Sequence, residues 1–368
     1  MTATYDVIVV GGGPVGAACA RELALAGRRV LALDPEGDSG QAWRAAAGML
    51  APQLEASQDD PLLDLGLAAR EHCESLATAL RETTGIDIGL WREGIAHVAA
   101  DEAEAAELRS KVAWQRQQGH LADWLDEDEV RSRWPWLGPT TGALWAPHEG
   151  ALEPERLVAA LRQDARRLGA VVEQDAVSAI ESRGERVTGV AGRRGRYAAA
   201  EVIVAAGAWS AAITGVPRPV AVAPVRGQMA AFPWPAGARR AIVYGRGGYL
   251  VARGDEAIAG STMEFVGFDA RVTTAGLASV MASATALCPR LTATDVRRTW
   301  AGLRPMTPDG LPIIGAEPRL PGLWYATGHG RNGILLAGLT GLLLRQLLGG
   351  ETPDEDLEPF APQRFWRW

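Results

Sequence analysis

Residues 5–34 read YDVIVVGGGPVGAACARELALAGRRVLALD, and no other stretch restricts the fold as much. VIVV is an apolar, β-branched run bounded by glycine, the pattern of a strand buried on both faces. VGAACARELALAG has helical spacing and stops on Gly27, and RRVLALD reads as a second buried strand ending in Asp34. Gly11, Gly13 and Gly16 stand at the strand-to-helix junction as GxGxxG. Such glycines allow the tight turn, the approach of a pyrophosphate to the backbone, and close helix-on-strand packing. The helix start offers unpaired N–H groups and partial positive charge to phosphates. Asp34 can accept hydrogen bonds from a ribose diol. With strand, helix, second strand and acid in order, a dinucleotide-binding unit is the expectation, and NAD and FAD are both open at this point.

The next segment, GQAWRAAAGMLAPQ at 40–53, is built of small residues. It fits a backbone lying along a flat ligand and a tightly packed helix equally well. At 368 residues the chain is long enough for two domains. A net charge of -7 and a pI near 5.4 argue against nucleic acid and against an anionic membrane as partners. Cys19, Cys73 and Cys288 are scattered and odd in number, which suits a reducing cytoplasm without disulfides or a metal cluster. No basic segment precedes VIVVGGG, and ILLAGLTGLLLRQLL at 334–348 is short and carries Arg345, so a buried helix is expected there rather than a membrane span.

Along the middle of the chain, 67–84 and 101–119 read as charge-bearing helices. VIVAAGAWS at 202–210 repeats the strand-into-glycine pattern, with its turn at Gly207, and belongs beside the first strand. From 221 to 275 the pattern changes to alternating strands with glycine turns, as in an antiparallel sheet. Trp134, Trp136 and Trp145 cluster around prolines and are expected to fill a domain interface. WAGLRPMTPDGLPIIG at 300–315 sets Arg304 in an apolar strand, where pairing with a buried acid and binding of a ligand are equally open. TGHGRNGILLAG at 327–338 then places Arg331 and His329 among glycines ahead of a buried helix.

These motifs, with AAAGML at 45–50 and GSTM at 260–263, resemble the flavin amine oxidases of the D-amino-acid oxidase superfamily, and among them the thiamine-pathway glycine oxidases. The likeness spans essentially the whole chain; the terminal motifs are specific and the middle is looser. It implies an α/β fold in which a GxGxxG (Rossmann-like) FAD-binding domain at 1–84, 149–220 and 298–368 interleaves with an antiparallel-sheet substrate domain at 85–148 and 221–297.

The same resemblance implies FAD, with Gly11, Gly13, Pro14, Val15 and Gly16 at the pyrophosphate and Asp34 and Pro35 at the adenosine ribose. It brings Ala42, Trp43, Arg44, Ala47, Gly48 and Met49 to the cofactor, the last three along the isoalloxazine. Val177 and Gly207 fall near the adenine side. His329, Gly330, Arg331, Asn332, Gly333, Ile334 and Leu335 fall against the flavin ring. Arg304 becomes the partner of a substrate carboxylate, with Arg331, Tyr249, Met263 and Met49 around the substrate. Two parallel charge-assisted bonds from a guanidinium would fix the orientation of that carboxylate. On their own, Tyr249 and Met263 could equally be strand core. His329 is expected to hold the turn or touch the flavin rather than to abstract a proton. His72, His97, His120 and His148 are expected to be surface or structural.

The chain departs from the family pattern at Gly330, where an aromatic is common, at Gly338, where a proline is common, and at Met306, which replaces a glycine. The covalent flavin of some relatives needs a cysteine near the carboxyl terminus. None follows Cys288, so FAD is expected to be non-covalent.

The expected reaction is oxidation of the Cα–N bond of glycine or another small D-amino acid or secondary amine. The imino acid hydrolyses to an oxo acid, with dioxygen giving hydrogen peroxide. The alternatives are a D-amino-acid or imino-acid dehydrogenase coupled to a quinone or partner, and a non-catalytic flavin-binding subunit. A cytoplasmic enzyme, tetrameric by resemblance, completes the expectation.

Overall fold

A computed structural model describes residues 5–35, 37, 40–58 and 60–366. Its first layer is built on five parallel strands in the order Val171–Gln174, Val30–Asp34, Tyr5–Val10, Arg196–Val204 and Leu323–Thr327. Ile313–Ala316 closes one edge antiparallel. In register, Val9 lies between Ala32 and Ile203, and Val7, Ile8 and Val9 are fully buried. This is why the VIVV run has no polar face: helices Pro14–Leu25, Pro154–Arg167 and Gly333–Gly349 cover one side, together with Leu62–Thr84. A hairpin, Val177–Arg183 and Arg186–Gly192, continues antiparallel from the first half of Arg196–Val204 and packs on the other side. The strand expected beside the first one is there, paired Val10 to Val204.

The second layer is a nine-stranded sheet. Its order is Gly40–Gln41, Arg298–Met306, Ala223–Pro233, Glu256–Gly260, Gly248–Arg253, Ile242–Gly245, Ile95–Ala99, Gly142–Ala146 and Asp123–Asp126. The alternation at 221–275 gives the antiparallel centre. Two pairings are parallel: Arg298–Met306 with Gly40–Gln41, and Ile242–Gly245 with Ile95–Ala99. The sheet is therefore mixed rather than purely antiparallel. Arg298–Met306 pairs along its length with Ala223–Pro233, so the strand carrying Arg304 belongs to this sheet although it lies beyond residue 297.

Trp134 and Trp136 pack with helix Thr274–Leu287 in a core on this second sheet, and Trp145 joins them. The tryptophans thus fill the interior of one layer, not the junction between two. Segment 40–53 is not one helix. A two-residue strand, the single turn Ala42–Ala45, the strand Met49–Leu50 and the turn Pro52–Glu55 follow each other, and Met49–Leu50 pairs with Gly150–Ala151. Among the described residues no helix is long and apolar enough to cross a membrane.

Candidate active site

The carboxyl ends of the parallel strands and the edge of the second sheet enclose one elongated cavity of about 800 Å³. At one end the Tyr5–Val10 strand turns into helix Pro14–Leu25. Gly11 has φ +109°, and a Cβ there would meet Ala205 O at 2.4 Å. Gly16 packs under the turn, where a Cβ would be 2.0 Å from Gly11 O, so it holds the loop shut and does not line the cavity. Gly13 is different: an added Cβ would meet only the Trp43 ring, at 3.4 Å, and would project into open cavity. The helix begins with Pro14 at its first turn and has no side-chain cap, so its free N–H groups face the cavity beside Pro14 and Val15. A bare glycine floor and an uncapped helix start are what a pyrophosphate requires, and the site fits a dinucleotide such as FAD.

Asp34 ends the second strand beside this floor. Its Oδ1 accepts the Gly12 N–H at 2.9 Å and its Oδ2 accepts Arg162 Nη2 at 2.5 Å, while Arg162 Nε donates to Gly12 O at 2.7 Å. Arg162, from helix Pro154–Arg167, was not foreseen. It lies mid-helix, and only the fold brings it across to the glycine turn. Pro35, Val177 and Arg193 continue the cavity beyond Asp34, and Gly207 borders it. Ala42 and Trp43 line the middle. Arg44 turns away, over the Trp43 ring and onto Gln41. Ala47, Gly48 and Met49 form one wall, held because Gly48 fits against Leu152 O, where a Cβ would lie at 2.0 Å.

At the opposite end a second helix, Gly333–Gly349, points its uncapped start into the same space. His329, Gly330, Arg331, Asn332, Gly333 and Ile334 line it, whereas Leu335 turns into the first core. His329 is 3 % exposed and shares a hydrogen bond with Thr340 Oγ1 at 3.1 Å. Burial pushes its pKa down to about 3, so it is neutral and structural. Gly330 has φ +52°, and a Cβ there would lie 2.9 Å from Met306 Sδ. Met306 thus occupies space that a side chain at 330 would use. At Gly338 a Cβ would meet Leu76 at 2.7 Å and His72 at 3.0 Å, so glycine lets this helix press on Leu62–Thr84.

Arg304 reaches the cavity over the bare backbone of Gly227, where a Cβ would stand 2.2 Å from its Nη1. Its Nη1 donates to Thr262 O at 3.2 Å and its Nη2 to Ser261 Oγ at 2.6 Å. Among the described residues no acid forms an ion pair with it, which removes the buried-acid alternative. Burial pushes its pKa below that of an ordinary arginine. Tyr249 stands beside it and donates to Met229 Sδ at 3.4 Å, with burial pushing its phenol up. Met263 is 50 % exposed at the cavity mouth, and so is not strand core.

Arg331 is not free: its Nη2 pairs with Glu55 Oε1 at 2.7 Å. Burial opposes the Arg331 charge, and Glu55 and Tyr244 outweigh it and hold the guanidinium above its ordinary value. Glu55 and Tyr244 both line the cavity and neither was foreseen. Tyr244 had a signal, because the hairpin YGRGGY pairs it directly with Tyr249. Glu55 had only its nearness to AAAGML. Behind Tyr244 the His97 ring packs edge-on at 4.8 Å, and burial pushes its pKa down to about 4.

The family described as "DAO: FAD dependent oxidoreductase" matches residues 6–347. The chain is 37% identical to a glycine oxidase of Geobacillus kaustophilus over 99% of its own length and 98% of that protein. It is 35% identical to a bifunctional protein ThiO/ThiG of Synechocystis, of which it spans 55%. The crystal structure of glycine oxidase from Geobacillus kaustophilus superposes with a TM-score of 0.93 at 36% identity, covering 99% of each chain.

Proposed function

Because the chain belongs to the DAO family of FAD-dependent oxidoreductases, we propose that it oxidatively deaminates glycine or another small amine-bearing acid, as its glycine oxidase relatives are named for doing. Bound FAD supplies the electron-pair acceptor for oxidation of the substrate Cα–N bond. The residues that would hold it are the Gly11–Val15 turn, Asp34, the Ala47–Met49 wall and the start of helix Gly333–Gly349. The substrate reading is carried by Arg304, a cavity-facing guanidinium bonded, among the described residues, only to a carbonyl and a hydroxyl. A carboxylate is the partner it lacks. With the acid group there, Cα stands toward the wall formed by the glycine-rich turn, and Tyr249 and Met263 limit what Cα can carry.

Among the described residues no paired carboxylates and no nucleophilic triad meet in the cavity, and neutral His329 is turned to Thr340. Positioning is therefore the main contribution of the protein, and the ammonium proton leaves to water. Glu55 is the acid lining the cavity at this end, where it balances Arg331 and faces the amine of a zwitterion. With Arg331 balanced by Glu55, the uncapped start of helix Gly333–Gly349 gives that wall its positive potential, which favours electron acceptance there. Dioxygen is the proposed final acceptor, with hydrogen peroxide as product. A cytoplasmic home is part of the proposal, supported by three free, buried cysteines, and so is a tetramer.

The test is an anaerobic flavin-bleaching panel over glycine, sarcosine, D-alanine, D-proline and larger amino acids. Bleaching by the small members, with stoichiometric peroxide on readmitting dioxygen, is the expected result. Bleaching without peroxide would transfer the chain to the dehydrogenases, and no bleaching by any of them would leave a flavin-binding subunit. Arg304→Ala is expected to keep its flavin and raise KM by roughly 100-fold, the loss of two charge-assisted bonds. Unchanged kinetics would remove Arg304 from its role.

A further inference from the structure

Glu149 lies in the turn between strands Gly142–Ala146 and Gly150–Ala151, is 0 % exposed, and lines no part of the cavity. Its Oε1 accepts the backbone N–H groups of Gln53 at 2.5 Å and Leu54 at 3.2 Å. Its Oε2 is buried without a hydrogen-bond partner among the described residues. An orphaned carboxyl oxygen is costly in a packed interior, so this acid persists against a penalty that an apolar residue would not carry.

The two N–H groups belong to the single helical turn Pro52–Glu55, whose N-cap Ala51 has no side-chain acceptor to offer. Three more side chains hold the same turn from two other helices. Gln115 Nε2 donates to Gln53 O at 2.7 Å, Arg70 Nη1 to Gln53 Oε1 at 2.7 Å, and Lys111 Nζ to Leu54 O at 2.5 Å. What this clamped turn delivers to the cavity is Glu55, on Arg331. A four-residue helix has no stability of its own, so the depth at which Glu55 enters is set by the groups that hold the turn.

We propose that Glu149 is a positioning residue. By capping the Gln53 and Leu54 N–H groups it fixes Glu55 against Arg331, and so governs how the amine end of the substrate is received while the carboxylate end stays with Arg304. This rests on reading the cavity as an amino-acid oxidase pocket. Glu149 touches neither substrate nor cofactor, and its effect passes through Glu55.

The experiment uses the FAD-loaded enzyme with Glu149→Leu, Glu149→Asp and Glu149→Gln, each also combined with Glu55→Gln. Steady-state glycine kinetics are measured beside the dissociation constant of glycolate, a carboxylate without an amine, read from the flavin absorbance. Glu149→Leu is expected to raise the glycine KM about 5- to 10-fold, the effect of a lost cap. It should change kcat and glycolate binding by less than about twofold. Glu149→Gln, which keeps one accepting oxygen, should recover most of the KM, and in the Glu55→Gln background the Leu effect should vanish.

Equal weakening of glycine and glycolate, or the same KM change with and without Glu55→Gln, would overturn the proposal and reduce Glu149 to a structural acid. Should the leucine variant fail to hold FAD, Glu149→Asp, with its carboxylate withdrawn by one methylene, must show the same glycine-selective pattern or the proposal falls. If the wild type oxidises no amino acid, the proposed function fails by itself. The binding of glycine and of glycolate to the oxidised enzyme then still decides the role of Glu149.

Discussion

Two residues, Met306 and Gly330, meet beside the cavity, and their relation can be measured. Alanine at 330 would place a Cβ 2.9 Å from Met306 Sδ and would hold φ +52°, a left-handed conformation costing a non-glycine residue about 1 kcal/mol or more. Gly330→Ala is therefore expected to lower stability by about 1–2 kcal/mol. Met306→Gly should recover the steric part alone, visible as non-additivity in denaturant melts of the double variant. At Arg304 the geometry matters more than the charge: Arg304→Lys keeps the cation but loses the planar pair of donors. It is expected to raise the substrate KM by roughly tenfold or more, with flavin content intact. Arg304 was legible in the sequence because a charge in an apolar strand demands a partner. Arg162 and Glu149 were not, because one sits in a charged helix and the other in a polar turn, and only tertiary contacts give them work.

At the level of elements, the nucleotide-binding unit was readable because each part is local: a strand, a turn, a helix and a second strand within thirty residues. The alternation at 221–275 was readable for the same reason. What could not be read is partner choice. Ile242–Gly245 pairs parallel with Ile95–Ala99, far away in sequence, and Gly40–Gln41 adds an edge beside Arg298–Met306. Such pairings depend on burial shared between distant segments rather than on either pattern alone. Helix Thr274–Leu287 carries a cap that was not singled out in the sequence and that can be tested. Thr273 caps it, accepting the Gly276 N–H at 3.2 Å, and Gln228 donates to the same hydroxyl at 3.0 Å. Thr273→Ala is expected to cost about 1 kcal/mol in thermal or denaturant unfolding. Flavin content should be preserved, since this helix packs on the face of the second sheet away from the cavity.

For the whole molecule, the largest burial shifts among the described histidines and glutamates, those of His97, His329 and Glu149, dominate the pH profile of stability. Burial pushes His97 and His329 down from 6.5 to about 4 and about 3. As pH falls below 6.5 the unfolded chain takes up protons that the folded one refuses, so stability is lost on the acid side. Burial pushes Glu149 up from 4.5 to about 8, so the folded chain keeps a proton that the unfolded one releases. That contribution is full below 4.5 and is lost as pH rises toward 8. Between 4.5 and 6.5 His97 and His329 outweigh Glu149, and above 6.5 Glu149 sets the slope. The melting temperature of the holoenzyme is expected to peak near pH 6.5 and decline on both sides. Glu149→Gln should flatten the alkaline limb and leave the acid limb in place. A melting curve that rises steadily to pH 8 would contradict the buried, protonated acid.

The bare backbone of Gly227 beneath the Arg304 guanidinium has a practical consequence. One methyl group there would evict the anchor from its bed without altering the arginine, the cofactor cradle or the helix starts. Position 227 is thus a single-site dial for redesign. Under the proposed role of Arg304, small side chains at that point are expected to relax the demand for an acid group and admit uncharged amines.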